Sequence, residues 1–408
     1  MARTKAVLTP DLRLTDFISL GVIAKTIPLS TINLVLEENG KTSQRQRAFP
    51  AHVVVYYVIA LAIYMQVSCK EVFRYLIDGI RWLNLTNPMK VTGKSAISQA
   101  RTRLGCVVLE QLHERIVQPI AQKSTKGAWY RTWRLVSIDG STMDTADEQR
   151  NLESFGRHPT SKGQSGFPQI RFVSMVENGT HVLFGTRMGG ATKVSEIELA
   201  KQVLTATALG KGVLMLGDRN FFSFELWNQA RENGSDLLWR VKKNLVLPRE
   251  TQLPDGSYLS RIYPSQKDRR RKENGVIVRV IEYTLEGIPG AEPLYRLITT
   301  ILDYEKAPAT ELAAVYHERW EIETSFDELK THLRGARIVL RSKRPDLVRQ
   351  EFFGLLLAHF AIRSLMHEAA LEADEDPDRL SFIHAVRVVR RQIVRFTKIS
   401  PSRVSSIS

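Results

Sequence analysis

Four residues in one stretch combine types and spacing that could do chemistry: Tyr316, Arg319, Glu323 and Lys330. A carboxylate can bind a hard cation, and cations flanking it can neutralise an anion. The stretch Leu312–Leu333 reads as one amphipathic helix, because Leu312, Val315, Ile322, Phe326, Leu329 and Leu333 recur at about 100° per residue without Gly or Pro. At that pitch the four residues fall within roughly 60° of one another on the shoulder of the apolar stripe. A single carboxylate is thus presented between two cations at the rim of a core. Charges three or four apart on a helix usually form a solvated face with weak ion pairs. The full pattern Tyr-x2-Arg-x3-Glu-x6-Lys is more restrictive, since chance supplies it roughly once in a few hundred chains of this length.

Two further carboxylates close apolar runs. Leu135-Val-Ser-Ile138 leads into Asp139-Gly140, and Val213-Leu-Met-Leu216 into Gly217-Asp218, each a strand ending at a turn. A lone aspartate there is commonly a turn former or helix cap. Asp144 and Asp147 also follow the first strand and read as solvated loop or turn residues. Asp327 lies one helical turn from Glu323 and is the rival third acid.

The helix pattern is the signature of the cut-and-paste insertion-sequence transposases of the DDE class, the insertion-sequence-four-like group, and the chain resembles them. Ile-Asp-Gly-Ser around Asp139, Asn151 with Phe155-Gly156, Phe167-Pro-Gln-Ile-Arg171, and Gly-Asp-Arg-Asn-Phe-Phe-Ser around Asp218 extend the resemblance along much of the chain. It implies an α/β fold with a ribonuclease-H-like catalytic core, in which the first and fourth strands are neighbours. Asp139 and Asp218 would then stand side by side, with Glu323 brought across to them. By the same resemblance these three are catalytic and metal-binding, holding two Mg²⁺ ions for which Mn²⁺ substitutes. Tyr316, Arg319 and Lys330 would contact the transposon end. The implied partners are double-stranded DNA, as transposon ends and target, and a second copy of the chain in a paired-end homodimer. The implied reaction cleaves the ends, proceeds through a hairpin, and joins the freed 3′-OH to target DNA.

The elements needed to position these residues can be read in order. Residues 1–130 form a helical N-terminal domain expected to bind DNA. After the basic stretch Asn39–Arg47, an apolar helix starts beyond Pro50, followed by a helix over Ser68–Leu83. Thr92–Gly105 carries Lys94, Gln99, Arg101 and Arg103, which suit phosphate and base contacts as well as a solvated basic helix. Residues 131–345 form the catalytic domain: three strands, a helix over Ser195–Ala208, a strand, a helix from Ser223, and a strand over Asp236–Val241. Asn178-Gly179 marks a hairpin turn. An antiparallel β insertion is expected at about 245–300, its loop tip carrying Lys267-Asp-Arg-Arg-Arg-Lys272. In the family such an insertion can hold a flipped base on an aromatic, for which Trp239, Tyr258 and Tyr263 are the candidates. Residues 346–408 form a helical C-terminal region, which the resemblance links to dimerisation. Ser400–Ser408 reads as disordered.

Lys and Arg number 58 against 43 acidic residues, a net +15, which fits a polyanionic partner. Cys69 and Cys106 lack metal or redox spacing and read as buried, reduced thiols. No signal-peptide pattern is present, and the apolar run Val53–Met65 is shorter than the roughly 20 residues that span a bilayer. A cytoplasmic, nucleoid-associated protein is expected. Two rival functions share the fold: a sequence-specific DNA-binding protein with a degenerate site, and a nuclease that cuts without joining.

Overall fold

The computed structural model describes residues 23–43, 49–82, 93–160, 163–285 and 292–397. Helix α1 (Ala51–Ile63) starts after Pro50, whose extended backbone caps it. Every residue from Val53 to Ile63 is buried, so the apolar run is a core helix. No helix among the described residues is long and apolar enough to cross a membrane. Next come α2 (Lys94–Leu104) and the strands β1 (Trp133–Asp144), β2 (Gln169–Glu177) and β3 (Val182–Gly190). Helix α3 (Glu196–Ala206), strand β4 (Val213–Gly217), helix α4 (Phe224–Glu232) and strand β5 (Asp236–Arg240) follow. Ser195 and Ser223 cap α3 and α4, their hydroxyls accepting the Glu198 and Leu226 amides at 3.1 Å.

The strands run in the spatial order β3-β2-β1-β4-β5. β1 pairs antiparallel with β2 but parallel with β4, and β4 pairs parallel with β5. The expected neighbours, first and fourth strands, are therefore adjacent. The segment beyond β5 does not form a sheet of its own. It supplies β6 (Thr251–Gln252), β7 (Tyr258–Ile262), β8 (Val276–Tyr283) and β9 (Tyr295–Thr299), which continue the same sheet as β5-β9-β8-β7-β6. Leu297 of β9 pairs with Arg240 of β5, and that antiparallel ladder joins β6–β9 to the preceding strands. The basic run sits at the β7–β8 tip as expected, but as a short helix, Gln266–Arg271, capped by Ser265.

Alternation along the strands splits the core between the two sheet faces. Leu214 and Leu216 of β4 join a cluster with Leu135, Leu238, Leu312 and Tyr316, whereas Met215 faces a larger cluster with Val136, Ile138 and Trp239.

The proposed signature helix is not uniform. It consists of α5 (Ala309–His317), a 3-10 turn (Glu318–Trp320), α6 (Glu321–Asp327) and a π segment (Glu328–Leu333). A regular pitch already sets Glu321 and Glu323 about 160° apart, and Glu323 and Glu328 about 140° apart, so the segment presents carboxylates to opposite sides.

Helix α7 (Pro345–Ala373) is long and largely buried. Gly354 allows it to cross α1 closely, for a Cβ there would come 2.7 Å from Val58 Cγ1. Helix α8 (Phe382–Thr397) contains the basic Arg387 stretch and packs against α7.

Candidate active site

The site is built on the β1–β4 ladder. Ile138 pairs with Gly217, so the next residues, Asp139 and Asp218, lie level at the point where β4 ends. Asp139 Oδ1 accepts its neighbour Gly140 N–H at 2.8 Å. Burial pushes the Asp139 carboxyl up to about 7; Gly140 N–H and Arg319 oppose the shift, and Glu196 and Asp218 add to it. Glu323 arrives from α6, its side chain about half exposed. Arg319 connects the two sides: Nη1 is 3.4 Å from Asp139 Oδ2, and Nη2 is 3.3 Å from Glu323 Oε1. Its Nε–H is buried without a hydrogen-bond partner, a donor available to an anionic ligand.

Tyr316 is buried, and its hydroxyl donates to Gly217 O at 3.3 Å. It thereby ties the helix to the strand end that carries Asp218. Lys330, on the π segment, donates to Ser141 Oγ at 2.9 Å, two residues beyond Asp139. Burial lowers its pKa, and Arg334 adds to the effect. Three carboxylates and two cations from distant parts of the chain thus converge on one strand edge.

Residues 132–361 match the family described as "Transposase DDE domain", and residues 17–114 match "Insertion element 4 transposase N-terminal". The chain belongs to the DDE transposase family. The chain is 28% identical over 382 residues to "Transposase InsG for insertion sequence element IS4" of Escherichia coli (strain K12), covering 92% of this chain and 83% of that protein. It is 26% identical to InsZ of the same strain over 227 residues, 54% of this chain and 71% of that one. Membership implies a DNA substrate and use of a divalent metal.

The rival acids of this transposase are otherwise placed. Asp327 pairs with His332 at 3.0 Å. Asp144 is the last residue of β1, not a loop residue, and its Oδ1 accepts from Gln169 at 2.7 Å. Asp147 pairs with Arg157 at 2.7 Å.

On α2, Gln99 and Arg103 are exposed, but Arg101 is buried against α7. Its guanidinium donates to Gln350 Oε1 at 2.7 Å, Ser342 Oγ at 3.1 Å and Leu347 O at 3.2 Å, an anchor where a phosphate contact was expected. The Lys94 side chain lies outside the described residues, as does Ser400–Ser408. Trp239 and Tyr258 are buried, while Tyr263 is half-buried. Cys69 and Cys106 are free and half-buried.

Sequence reasoning missed Glu196. It occupies the first turn of α3, where an acid reads simply as a helix-dipole residue. A Cβ on Gly140 would come 2.0 Å from Glu196 Oε1, so the glycine beside Asp139 makes room for a fourth carboxylate. Burial raises the Glu196 pKa, with Arg171 opposing and Asp218 adding. Trp320 was also missed; 58% exposed beside Arg319, it offers a free aromatic face at the site.

Proposed function

We propose that the chain is a cut-and-paste transposase with a ribonuclease-H-like core, which binds its element's terminal inverted repeats, cleaves them and joins the 3′-OH ends to target DNA. The observation that supports this most is the β1–β4 register, which sets Asp139 level with Asp218, with Glu323 linked to Asp139 through Arg319. The all-oxygen donor set suits a hard cation, and Arg319 partly neutralises its negative charge. Asp139, Asp218 and Glu323 would hold two Mg²⁺ ions, or Mn²⁺ in substitution, which when bound polarise an attacking oxygen and stabilise the leaving 3′-oxygen.

The chain's own groups do the rest. Arg319 has a buried N–H free for a phosphate oxygen, and Lys330 is held at Ser141, two residues beyond Asp139 on the same strand. Tyr316 positions Asp218 through Gly217. Trp320 presents a face on which a displaced base can stack. Gln99 and Arg103 of α2, with the basic β7–β8 tip, are surfaces for the flanking duplex. Residues 1–130 would be the end-binding domain, 131–345 the catalytic domain and 346–408 the region pairing two copies. A hairpin intermediate follows if the freed 3′-OH attacks the opposite strand.

The deciding experiment is cleavage of a labelled duplex carrying the element's own end in Mg²⁺, by wild type and by Asp139→Asn, Asp218→Asn and Glu323→Gln. Cutting by wild type, lost in all three variants that still bind the end, is expected. Persistent cutting by Glu323→Gln would overturn the assignment of the third acid. Hydrolysis without 3′-OH transfer would leave a nuclease, and binding without cutting a DNA-binding protein.

A further inference from the structure

The reverse side of the catalytic helix carries a second cluster of ligating groups. Glu321 lies two residues before Glu323 but points away from the active site. One of its carboxylate oxygens accepts the Gly179 N–H, in the turn between β2 and β3. Two residues on, His181 adopts a left-handed backbone, φ +58°, which a non-glycine residue holds only when its surroundings compensate. The imidazole is buried. Its Nε2 lies 3.0 Å from Asp378 Oδ1 and 4.0 Å from Glu321 Oε2, yet no group meets it in hydrogen-bonding geometry. One donor atom from each of the three residues lies within 4.8 Å of the others.

From this arrangement we infer a second divalent-metal site, formed by His181 Nε2, Glu321 and Asp378, that takes a transition-metal ion of the Zn²⁺ kind and clamps the catalytic helix from behind. One imidazole nitrogen with two carboxylates selects against Mg²⁺ and Ca²⁺, which prefer oxygen alone, and leaves at least one coordination position open. Bonds of ~2.0–2.1 Å place tetrahedral ligands about 3.3 Å apart, so the separations of 3.0 and 4.0 Å need only small adjustments. Glu328 Oε1 is 3.2 Å from His181 Nδ1. Arg363 Nη2 lies against the same nitrogen and also donates to Glu328 Oε1; a metal on Nε2 requires the Nδ1 proton to go to Glu328 with Arg363 held by Glu328 alone, as in a carboxylate-backed metal histidine.

Charge balance supports the same reading. Glu321, Glu328 and Asp378 bring three carboxylates, against the Arg363 guanidinium and the imidazoles of His181 and His359. A cleft of about 390 Å³ lined by His181, Glu321 and Asp378 provides an entry path. The clamp joins three separate segments: the β2–β3 turn, α6, and the short 3-10 helix Pro377–Arg379 beyond α7.

The full-length protein, stripped with EDTA, is titrated with Zn²⁺ by calorimetry and thermal melting. The same titration is run on Asp139→Asn/Glu323→Gln, and on that double variant with either Asp378→Asn or Glu321→Gln added. The inference expects one Zn²⁺ to bind and raise the melting temperature when the front acids are removed, and affinity to fall about tenfold or more with either added change. Melting in EDTA and far-UV circular dichroism control for folding. A Co²⁺ adduct with the visible spectrum of a nitrogen ligand, lost in His181→Gln, separates this site from the oxygen-only front. No binding in the front-acid variant, or binding unaltered by Asp378→Asn and Glu321→Gln, would overturn the inference and leave a proton-balanced ion network.

Discussion

The two sides of the helix from α5 to the π segment use similar residues to opposite ends. The front gathers Asp139, Asp218, Glu196 and Glu323, with Arg319 shared between Asp139 and Glu323, and Glu323 remains about half exposed. The back surrounds Glu328 with His181, His359 and Arg363, all buried. Burial alone would raise the Glu328 pKa, but Arg363 and the two imidazoles hold it well below the carboxylate range. Asp139, whose guanidinium is shared and more distant, is instead pushed up to about 7. A carboxylate met by three close partners fixes a helix in place, and one whose cation is shared and distant is left to take a ligand. Asn178 reinforces the back, donating to Glu318 O at 2.7 Å and accepting from Ser137 at 2.9 Å.

That contrast can be broken at either side. Asp218→Asn and Glu323→Gln should each lower end cleavage by at least about 10³-fold while leaving the melting temperature within a few degrees, measured by single-turnover cutting and calorimetry. A front variant that unfolds would erase the distinction. At the back, Glu328→Gln leaves Arg363 buried without its carboxylate and should cost about 3–5 kcal/mol in denaturant unfolding. Its cleavage rate per folded molecule should stay near that of wild type at low temperature.

The front also makes a prediction of opposite sign. The Asp139 pKa is about 7 when folded and 3.8 in its ordinary state, so the unfolded chain loses the proton first as pH rises. Metal-free stability therefore falls between about pH 4 and 7 and then levels. Asp139→Asn, which cannot ionise, should be inactive yet more stable than wild type above pH 7, by no more than about 4 kcal/mol. The two proteins should converge near pH 4, and urea titrations across pH test this. Equal stability at pH 8 would mean that Arg319 compensates Asp139 fully.

The smallest effect concerns the insertion. Replacing Lys267, Arg269, Arg270, Arg271 and Lys272 by Gln should flatten the log–log salt dependence of end binding by about 0.9 for each DNA phosphate that these side chains neutralise. Folding should not change, because these side chains are solvated.

The front was legible in the sequence because its parts are local signals. Asp139 and Asp218 follow apolar runs, although β1 continues past Asp139 to Asp144 where a turn was expected, and Glu323 sits in a fixed four-residue pattern. Strand pairing then needed only the adjacency of β1 and β4. The back was not legible, because its members carry no spacing of their own. His181 reads as the residue after an Asn-Gly turn, and Asp378 as part of a loop beyond a helix. Glu328 lies five residues after Glu323, about 140° round the helix and so on its opposite side, but the sequence names no partner for it there. Arg101 failed as a phosphate ligand for a similar reason: its Ala-Arg-x-Arg context says basic helix, while its three partners lie beyond residue 340. The strands over 251–299 are antiparallel as expected, but their continuation of the sheet from β5 depends on the Leu297–Arg240 register, a non-local property.

The crossing of α1 with α7 bears on how the chain is made. Arg101 and its partner Gln350 are 249 residues apart, and at 5–20 residues per second a ribosome needs roughly 12–50 s to connect them. Throughout that interval the apolar α1, buried from Val53 to Ile63 in the finished protein, lacks the helix that covers it. A copy interrupted before Pro345 leaves that face of α1 uncovered and is expected to be less soluble than the full chain, which fractionation of a 1–344 fragment would check.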